Sequence, residues 1–308
     1  RRQRQMCIRD SFIRLMLGGL LCLFVSACVS DPLADEQYTK KLTLVGAQDE
    51  LQEKEVKYGS DGEFFVTVYC GGTKMHEDDV TVTLGEADQS NIDNYNYKNV
   101  LEGEIEYVAL PKDWYTIPSY TSVIKAGERY VRFPVRVDTE KIDTDARYLI
   151  PLKIVDSSPY PVNEQADTVL LVKVKMINDY SGNYMMKGTE YPMKNGTPDL
   201  LSGTPIEIAR TLTAVDENTV RFFHKSVNEE MPNLDDNGIT LTVDKSTGKV
   251  SVRPWKSLPV VENSGSGTYQ VISGNYGINT RRYVIEYNYI NSSNKEMYVS
   301  VTLETSEN

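Results

Sequence analysis

Histidine is almost missing from this chain: only His76 and His224 occur among 308 residues. Because histidine is the side chain whose ordinary pKa lies nearest neutrality, general-base chemistry at pH 7 has little to work with. No GxSxG elbow, HExxH helix or GxGxxG opening occurs either, which removes the usual signatures of serine hydrolases, zinc proteases and dinucleotide-binding enzymes. Carboxylate pairs remain, and glycoside hydrolysis needs only two of them roughly 5 to 10 Å apart. A chain this rich in Asp and Glu supplies such pairs by chance, so the expectation is a protein without catalytic chemistry and without a cofactor. Cysteine is scarce too, at Cys7, Cys22, Cys28 and Cys70, and these positions form neither a disulfide framework nor a CxxC metal knuckle. Cys70, ending the strand-like run Phe64 to Cys70, reads as a small buried hydrophobe. Positive charge is also short, with 33 Lys and Arg against 44 Asp and Glu. That deficit argues against nucleic acid and polyanionic glycans as main partners, both of which reward clustered Lys and Arg. Neutral ligands or other proteins fit better.

A long apolar run is the next absence. Leu15 to Val25 is almost wholly apolar, yet a membrane span needs about 20 residues. With Arg14 ahead of it and Val25-Ser26-Ala27 behind, the run has the shape of a secretory signal with a small-residue cleavage site. It closes as LLCLFVSAC on Cys28, the arrangement of a bacterial lipobox, in which the thiol accepts a diacylglyceryl group. Residues 1–27 are therefore expected to be removed and Cys28 to be lipidated at the outer membrane. Within the leader, Arg1 to Ser11 looks foreign to the gene, because Gln5 to Ser11 (QMCIRDS) back-translates into a transposon-end sequencing adapter. Removing residues 1–27, which hold five Arg and one Asp, takes the formal net charge from −11 to −15.

The rest of the chain reads as β nearly throughout. Alternation puts Val80, Val82 and Leu84 on one face, then Val131, Phe133, Val135 and Val137, then Tyr148, Ile150, Leu152 and Ile154, then Leu170, Val172, Val174 and Met176. Turn-rich stretches such as Asp88 to Asn96 and Asp156 to Asn163 separate them, a pattern that suggests a sandwich. A second strand series follows the turn cluster NDYSGN at Asn178: Thr219 to His224, Ile239 to Asp244, Lys249 to Trp255, Thr268 to Ser273, Arg282 to Ile290 and Glu296 to Glu304. Hairpin-like loops at Lys245 to Gly248 and Asn291 to Lys295 favour antiparallel neighbours, and such a meander curls naturally into a barrel. The expected division is a lipidated linker over 28–40, a sandwich over 41–177 and a barrel over 178–308. Asn233, Asp235, Asn237, Gly238 and Asp244 mimic the spacing of a calcium loop, but Asp replaces the bidentate Glu and a strand follows where a helix should begin. A turn entering a strand explains them, and no metal is expected.

Three segments carry a family likeness: Tyr107 to Glu128 (YVALPKDWYTIPSYTSVIKAGE), Tyr148 to Ile154 (YLIPLKI) and Asn178 to Tyr184 (NDYSGNY). Through them the chain resembles Bacteroidetes-type two-domain surface lipoproteins. In these an immunoglobulin-like module, also found ahead of family-eighteen endoglycosidases, precedes a lipocalin-like module. The resemblance implies an all-β fold, an immunoglobulin-like β-sandwich followed by a lipocalin-like antiparallel β-barrel. It also implies capture of polysaccharide beside an outer-membrane importer, on the cell surface or at the periplasmic face. Gly127, Glu128 and Pro151 match its fold signature and nothing catalytic. A structural or adhesive lipoprotein that binds other proteins is the alternative.

Glycan binding needs exposed flat rings flanked by polar groups, and Tyr and Trp pair an apolar body with a polar handle. Trp255 leads the candidates: with Val250 and Val252 facing the core, Lys249, Ser251, Arg253 and Trp255 face outward, and Pro254 marks a strand end or edge. A bulge after Pro254 would instead turn the ring inward to cap the barrel. Tyr269 and Tyr276 flank a loop-like stretch and extend the candidate platform, and Trp114 adds a ring in the first module. Tyr283, Tyr287 and Tyr289 share a face with Ile285 and are expected to fill the barrel interior.

Overall fold

Two-residue alternation shapes the first half of the molecule, seen here in a computed structural model that describes residues 35–47, 51–165, 168–261, 264–274 and 277–307. The leader, Cys28 and Tyr276 lie outside the described residues. In chain order the elements are β1 (Leu42–Leu44), β2 (Leu51–Lys57), β3 (Glu63–Cys70), β4 (Val80–Glu86), α1 (Ser90–Asn99), β5 (Tyr107–Ala109), β6 (Tyr115–Thr116), β7 (Thr121–Ile124), β8 (Tyr130–Val137), β9 (Arg147–Ser158) and β10 (Val169–Ile177). One sheet has the order β1-β3-β8-β6 and the other β2-β10-β9-β4-β7, with β5 alongside β9. The pairings are antiparallel except β2 with β10 and β5 with β9. The inward rows of both sheets, among them Val66, Val82, Phe133, Val135, Ile150 and Val172, meet in one buried cluster. This is the expected sandwich. Cys70 lies buried within it, and the same burial raises its thiol pKa.

The stretch Asp88 to Asn96, expected as a turn, is instead mostly helix. Its Asn, Asp and Ser content favours turns and caps over helix interiors, so propensity alone does not explain α1. Burial does, because Ile92 and Asn96, four residues apart and therefore on one face, are both buried. Ile92 packs on Leu149 and Leu171, covering the outer side of the second sheet. The Asn96 amide accepts a hydrogen bond from the Tyr107 N–H at 3.0 Å and donates one to the Tyr107 carbonyl at 2.8 Å. One side chain thus does for β5 what a neighbouring strand would do. Asp93 in the first turn and Lys98 in the last suit the helix dipole.

The second half is a closed barrel. Its strands are β11 (Gly182–Lys194), β12 (Thr197–Pro198), β13 (Thr204–Ala214), β14 (Thr219–Phe223), β15 (Gly238–Val243), β16 (Lys249–Pro254), β17 (Ser266–Ser273), β18 (Asn279–Ile290) and β19 (Glu296–Glu307). β11 and β13 to β19 pair antiparallel in order, and β11 closes the ring on β19 from Met185↔Glu304 to Pro192↔Met297, while β12 is a short addition to β11. Gly188 sits in this seam. A Cβ there would lie 2.1 Å from the Ser300 carbonyl oxygen and 2.7 Å from Val301 Cα, so the strand carries glycine where two backbones approach most closely. Tyr283, Ile285, Tyr287 and Tyr289 face inward as expected and are buried with Tyr184, Phe222, Leu241 and Val299. Tyr289 donates to Glu190 at 2.5 Å and the Tyr287 hydroxyl meets His224 Nδ1 at 2.7 Å. Burial lowers the His224 pKa to about 4, with Lys225 and Arg210 adding to the effect, so this ring is neutral at pH 7.

Between the two modules, Asn178 to Ser181 form a knot. Asn178 is buried. Its amide donates to the carbonyls of Asp216 (2.8 Å) and Thr219 (2.9 Å), and its oxygen accepts from the N–H groups of Tyr180 (3.0 Å) and Ser181 (2.8 Å). Every polar valence that matters is used, which is the physical content of the NDYSGN signature. Asp179 pairs with Lys57 of the sandwich at 2.5 Å, and the buried Tyr184 hydroxyl donates to the Tyr180 carbonyl at 2.9 Å.

Candidate functional site

Strand β14 departs from alternation, since all five residues of Thr219–Phe223 are buried. Val220 and Phe222 point into the barrel core. Arg221 and Phe223 take the opposite parity, and they are buried because the sandwich lies against that side of the barrel. The segment linking β14 to β15 crosses to the same partner. Ile105 N–H donates to the Glu230 carbonyl at 2.8 Å, Arg147 pairs with Glu230, and Asn228 reaches Glu104 at 3.3 Å.

A cleft of about 400 Å³ opens at this junction, with Asp145, Arg221, Phe223, Leu234, Trp255 and Lys256 among its walls. A neighbouring lobe of about 260 Å³ shares Arg147 and Arg221 and continues to Tyr107 and Tyr148. Asp145, from the loop before β9, is the hub. Its carboxylate accepts from the Trp255 indole N–H at 3.2 Å and pairs with Lys256 at 2.8 Å, while Arg221 Nη2 stands 3.7 Å away. Lys256 also pairs with Asp235 at 3.1 Å. Burial pushes the Asp145 pKa up, but Lys256, Arg221 and the Trp255 indole outweigh it and hold the carboxyl below the usual range. The Arg221 guanidinium lies over the Phe223 ring at 4.4 Å, and its buried Nε meets no hydrogen-bond partner among the described residues. Burial pulls the Arg221 pKa down, with Asp145 and Glu229 opposing.

Trp255 is thus neither a bare outward ring nor a cap turned into the barrel. It is half-buried, its backbone N–H donates to the Gly238 carbonyl at 2.9 Å, and its indole reaches Asp145 across the domain junction. Gly238 makes room for it, since a Cβ there would sit 2.7 Å from Trp255 Cβ. Asp235 and Asp244, grouped by the calcium-like spacing, serve different partners: Asp235 holds Lys256, whereas Asp244 accepts from Ser246 and Thr247 in the next hairpin, which lowers its pKa to about 2. Tyr269 packs at the other end of the barrel between Tyr180 and Tyr283, with ring centroids 4.9 and 4.8 Å away. Trp114 is partly buried on the sandwich core, edge-on to Tyr148 at 5.7 Å. Of the three candidate rings among the described residues, Trp255, Tyr269 and Trp114, Trp255 alone lines the cleft. Arg221, Phe223, Asp145 and Lys256 were not singled out by the sequence. The signal available for Phe223 was that Val220, Phe222 and Phe223 place apolar side chains on both parities, as in a strand covered on both faces; no local signal marked Arg221, a residue type rarely buried.

Fold and cleft together define a tandem sandwich–barrel protein with a ligand-sized opening where its modules meet. Two family models match in tandem, an N-terminal-domain model over residues 37–161 and a C-terminal model over residues 168–305. The two matches together span most of the chain, one over each module, so each module belongs to the domain family that its model describes. The second match begins before β10, a strand that pairs in the sandwich. Among solved structures, a protein of unknown function from Bacteroides ovatus superposes with a TM-score of 0.67 at 19% identity, covering 87% of this chain and 95% of its own. An auxiliary nutrient binding protein from Bacteroides thetaiotaomicron superposes with a TM-score of 0.62 at 19% identity, covering 84% and 92%. No curated protein matches the chain.

Proposed function

We propose that this protein is a lipid-anchored accessory of the outer membrane, on the cell surface or its periplasmic face. In this reading it holds a neutral oligosaccharide for a polysaccharide importer and does no chemistry on it. The observation that carries the reading is the cleft at Trp255. A large ring stands beside hydrogen-bonding groups, and most charges of the cleft are paired: Lys256 with Asp145 and Asp235, Arg147 with Glu230, and Arg221 more loosely with Asp145 at 3.7 Å. Such a lining favours uncharged hydroxyls over ions. Asp145 is not poised to donate a proton, because Lys256, Arg221 and the Trp255 indole hold its carboxyl below the usual range despite burial. The lipobox ending at Cys28 supports the anchor, and the shared fold of a relative named for nutrient binding is in keeping with the role. The adhesive alternative gains nothing from the sheet edges, since the longest edge of the sandwich, β2, carries Glu53, Lys54 and Glu55, charges that discourage strand addition.

The test is retention in polysaccharide-laden gels. Trp255→Ala is expected to weaken binding of a glycan that retards the wild type by about 1 to 3 kcal/mol, by analogy with the stacking of nucleic-acid bases on aromatic rings. Unchanged mobility would remove Trp255 from the site.

A further inference from the structure

Among the described residues, no element packs over the outer face of the four-stranded sheet, where aromatic side chains stand exposed. Phe65 and Tyr69 project from β3 and Tyr130 from β8, on the side opposite the core row of Phe64, Val66 and Val68. They are 41%, 36% and 50% exposed, and Tyr69 stands directly opposite Tyr130 in the ladder. Arg132 lies over the Tyr130 ring at 5.5 Å, and Arg129 donates to the Tyr69 hydroxyl at 3.2 Å. These two arginines engage tyrosines, while Arg136 farther along is matched by Glu63. On a chain of net charge −11, this is a flat aromatic face with local positive charge.

The place where the chain enters the sandwich says what such a face is for. Glu36 accepts from the N–H groups of Thr73 and Lys74 at 2.9 and 3.3 Å, and the Tyr38 N–H donates to Thr73 Oγ1 at 2.9 Å. The entering segment is therefore pinned to the loop that follows β3, next to the Tyr69–Tyr130 pair. Six residues lie between Cys28 and Asp35, and the seven Cα steps reach at most about 25 Å. A lipid on Cys28 keeps this end of the sheet close to the bilayer.

We propose that the Phe65–Tyr69–Tyr130 face, with Arg129 and Arg132, is a docking surface for the anionic headgroups of the membrane that carries the anchor. This rests on the lipid-anchor reading above and adds to it a fixed orientation. Tyrosine rings are at home in the headgroup region, and basic side chains there are drawn to anionic lipid. The net negative charge of the whole chain does not defeat this, since exposed charges farther off than a Debye length, about 10 Å at 0.1 M salt, are largely screened.

The experiment reproduces the tether chemically, so that it does not depend on native acylation. The chain from Cys28 onward is coupled through that thiol to a maleimide phospholipid in vesicles of phosphatidylglycerol and phosphatidylcholine with brominated acyl chains. Two reporters are compared with the wild type, Tyr130→Trp on the proposed face and Tyr97→Trp on α1, over the outer side of the other sheet, where Tyr97 is 90% exposed. Bromine is expected to quench the Tyr130→Trp signal and leave the Tyr97→Trp signal intact. Adding Arg129→Ala and Arg132→Ala, or leaving out phosphatidylglycerol, is expected to abolish that quenching. Quenching of both reporters, of neither, or of Tyr97→Trp alone would overturn the proposal, as would quenching that survives loss of both arginines. Retention of the protein by an acidic polysaccharide in a manner dependent on Arg132, with no quenching on vesicles, would reassign the face to a glycan. The mass of Cys28 in the native protein reports separately on the anchor itself.

Discussion

Asn178 shows how much one side chain decides at the residue scale. It is buried, makes four hydrogen bonds, and ties the start of the barrel to the β13–β14 turn. Asn178→Ala is expected to lower stability by about 2 to 4 kcal/mol, because buried groups lose partners worth roughly 1 kcal/mol each and some are left unsatisfied. Asn178→Asp is expected to cost a comparable amount at neutral pH, since a carboxylate keeps the two bonds accepted from Tyr180 and Ser181 but sets its charge against the carbonyls of Asp216 and Thr219. Urea midpoints of the two variants check both statements, and an Asp variant as stable as the wild type would show that the donated bonds contribute little. NDYSGN was legible in the sequence as a turn cluster that opens a new series of strands. The buried amide at its head was not, because its partners lie some 40 positions later in the chain. Trp255 makes the same point at longer range. Strand parity gave it an outward face, but its partner Asp145 is 110 positions away, and no local pattern brings those two together.

At the scale of elements, many strands declared themselves, β2, β11 and β13 did not, and neither did the helix. Period-two alternation depends only on neighbouring residues, so β4, β8, β9 and β10 could be read with their core faces. Helix α1 could not, because Ser90–Asn99 is poor in strong helix formers and depends on burial of Ile92 and on the Asn96 clip to β5. Strand β5 is correspondingly exposed to loss of that clip. Asn96→Ala is expected to cost about 1 to 3 kcal/mol and, more specifically, to speed hydrogen exchange at the Tyr107 amide, which donates to Asn96 in the folded protein. Exchange at Tyr107 unchanged from the wild type would mean that β5 is held by its pairing to β9 alone. Strand β14 errs in the opposite direction. It was read as a strand but not as one buried on both faces, because an isolated barrel would have left Arg221 and Phe223 in water. Only the docked sandwich accounts for them.

For the whole molecule, the joining of the two modules is the property that composition and periodicity could not supply. Modules of this kind often move freely unless their interface is large or specifically paired. Here Asp145 of the sandwich gathers Trp255, Lys256 and Arg221 of the barrel around one carboxylate. These partners hold its pKa below the ordinary value of 3.8 despite burial, so the proton is bound more readily once the modules separate or unfold. The resulting stabilisation is complete above the ordinary value and is lost as pH falls through the lower folded value. Other carboxylates with depressed values, such as Glu86 and Asp79, add their own acid sensitivity within the sandwich, so total stability against pH does not isolate the junction. A double-mutant cycle does. Asp145→Asn and Lys256→Met are expected to be non-additive in thermal stability at pH 6 and to become additive once pH falls below the depressed folded value of Asp145, where its carboxyl is protonated in both states. Coupling of equal size at both pH values would show that the pair acts through packing and not through charge, and additivity at pH 6 would show that the ion pair does not help hold the two modules together.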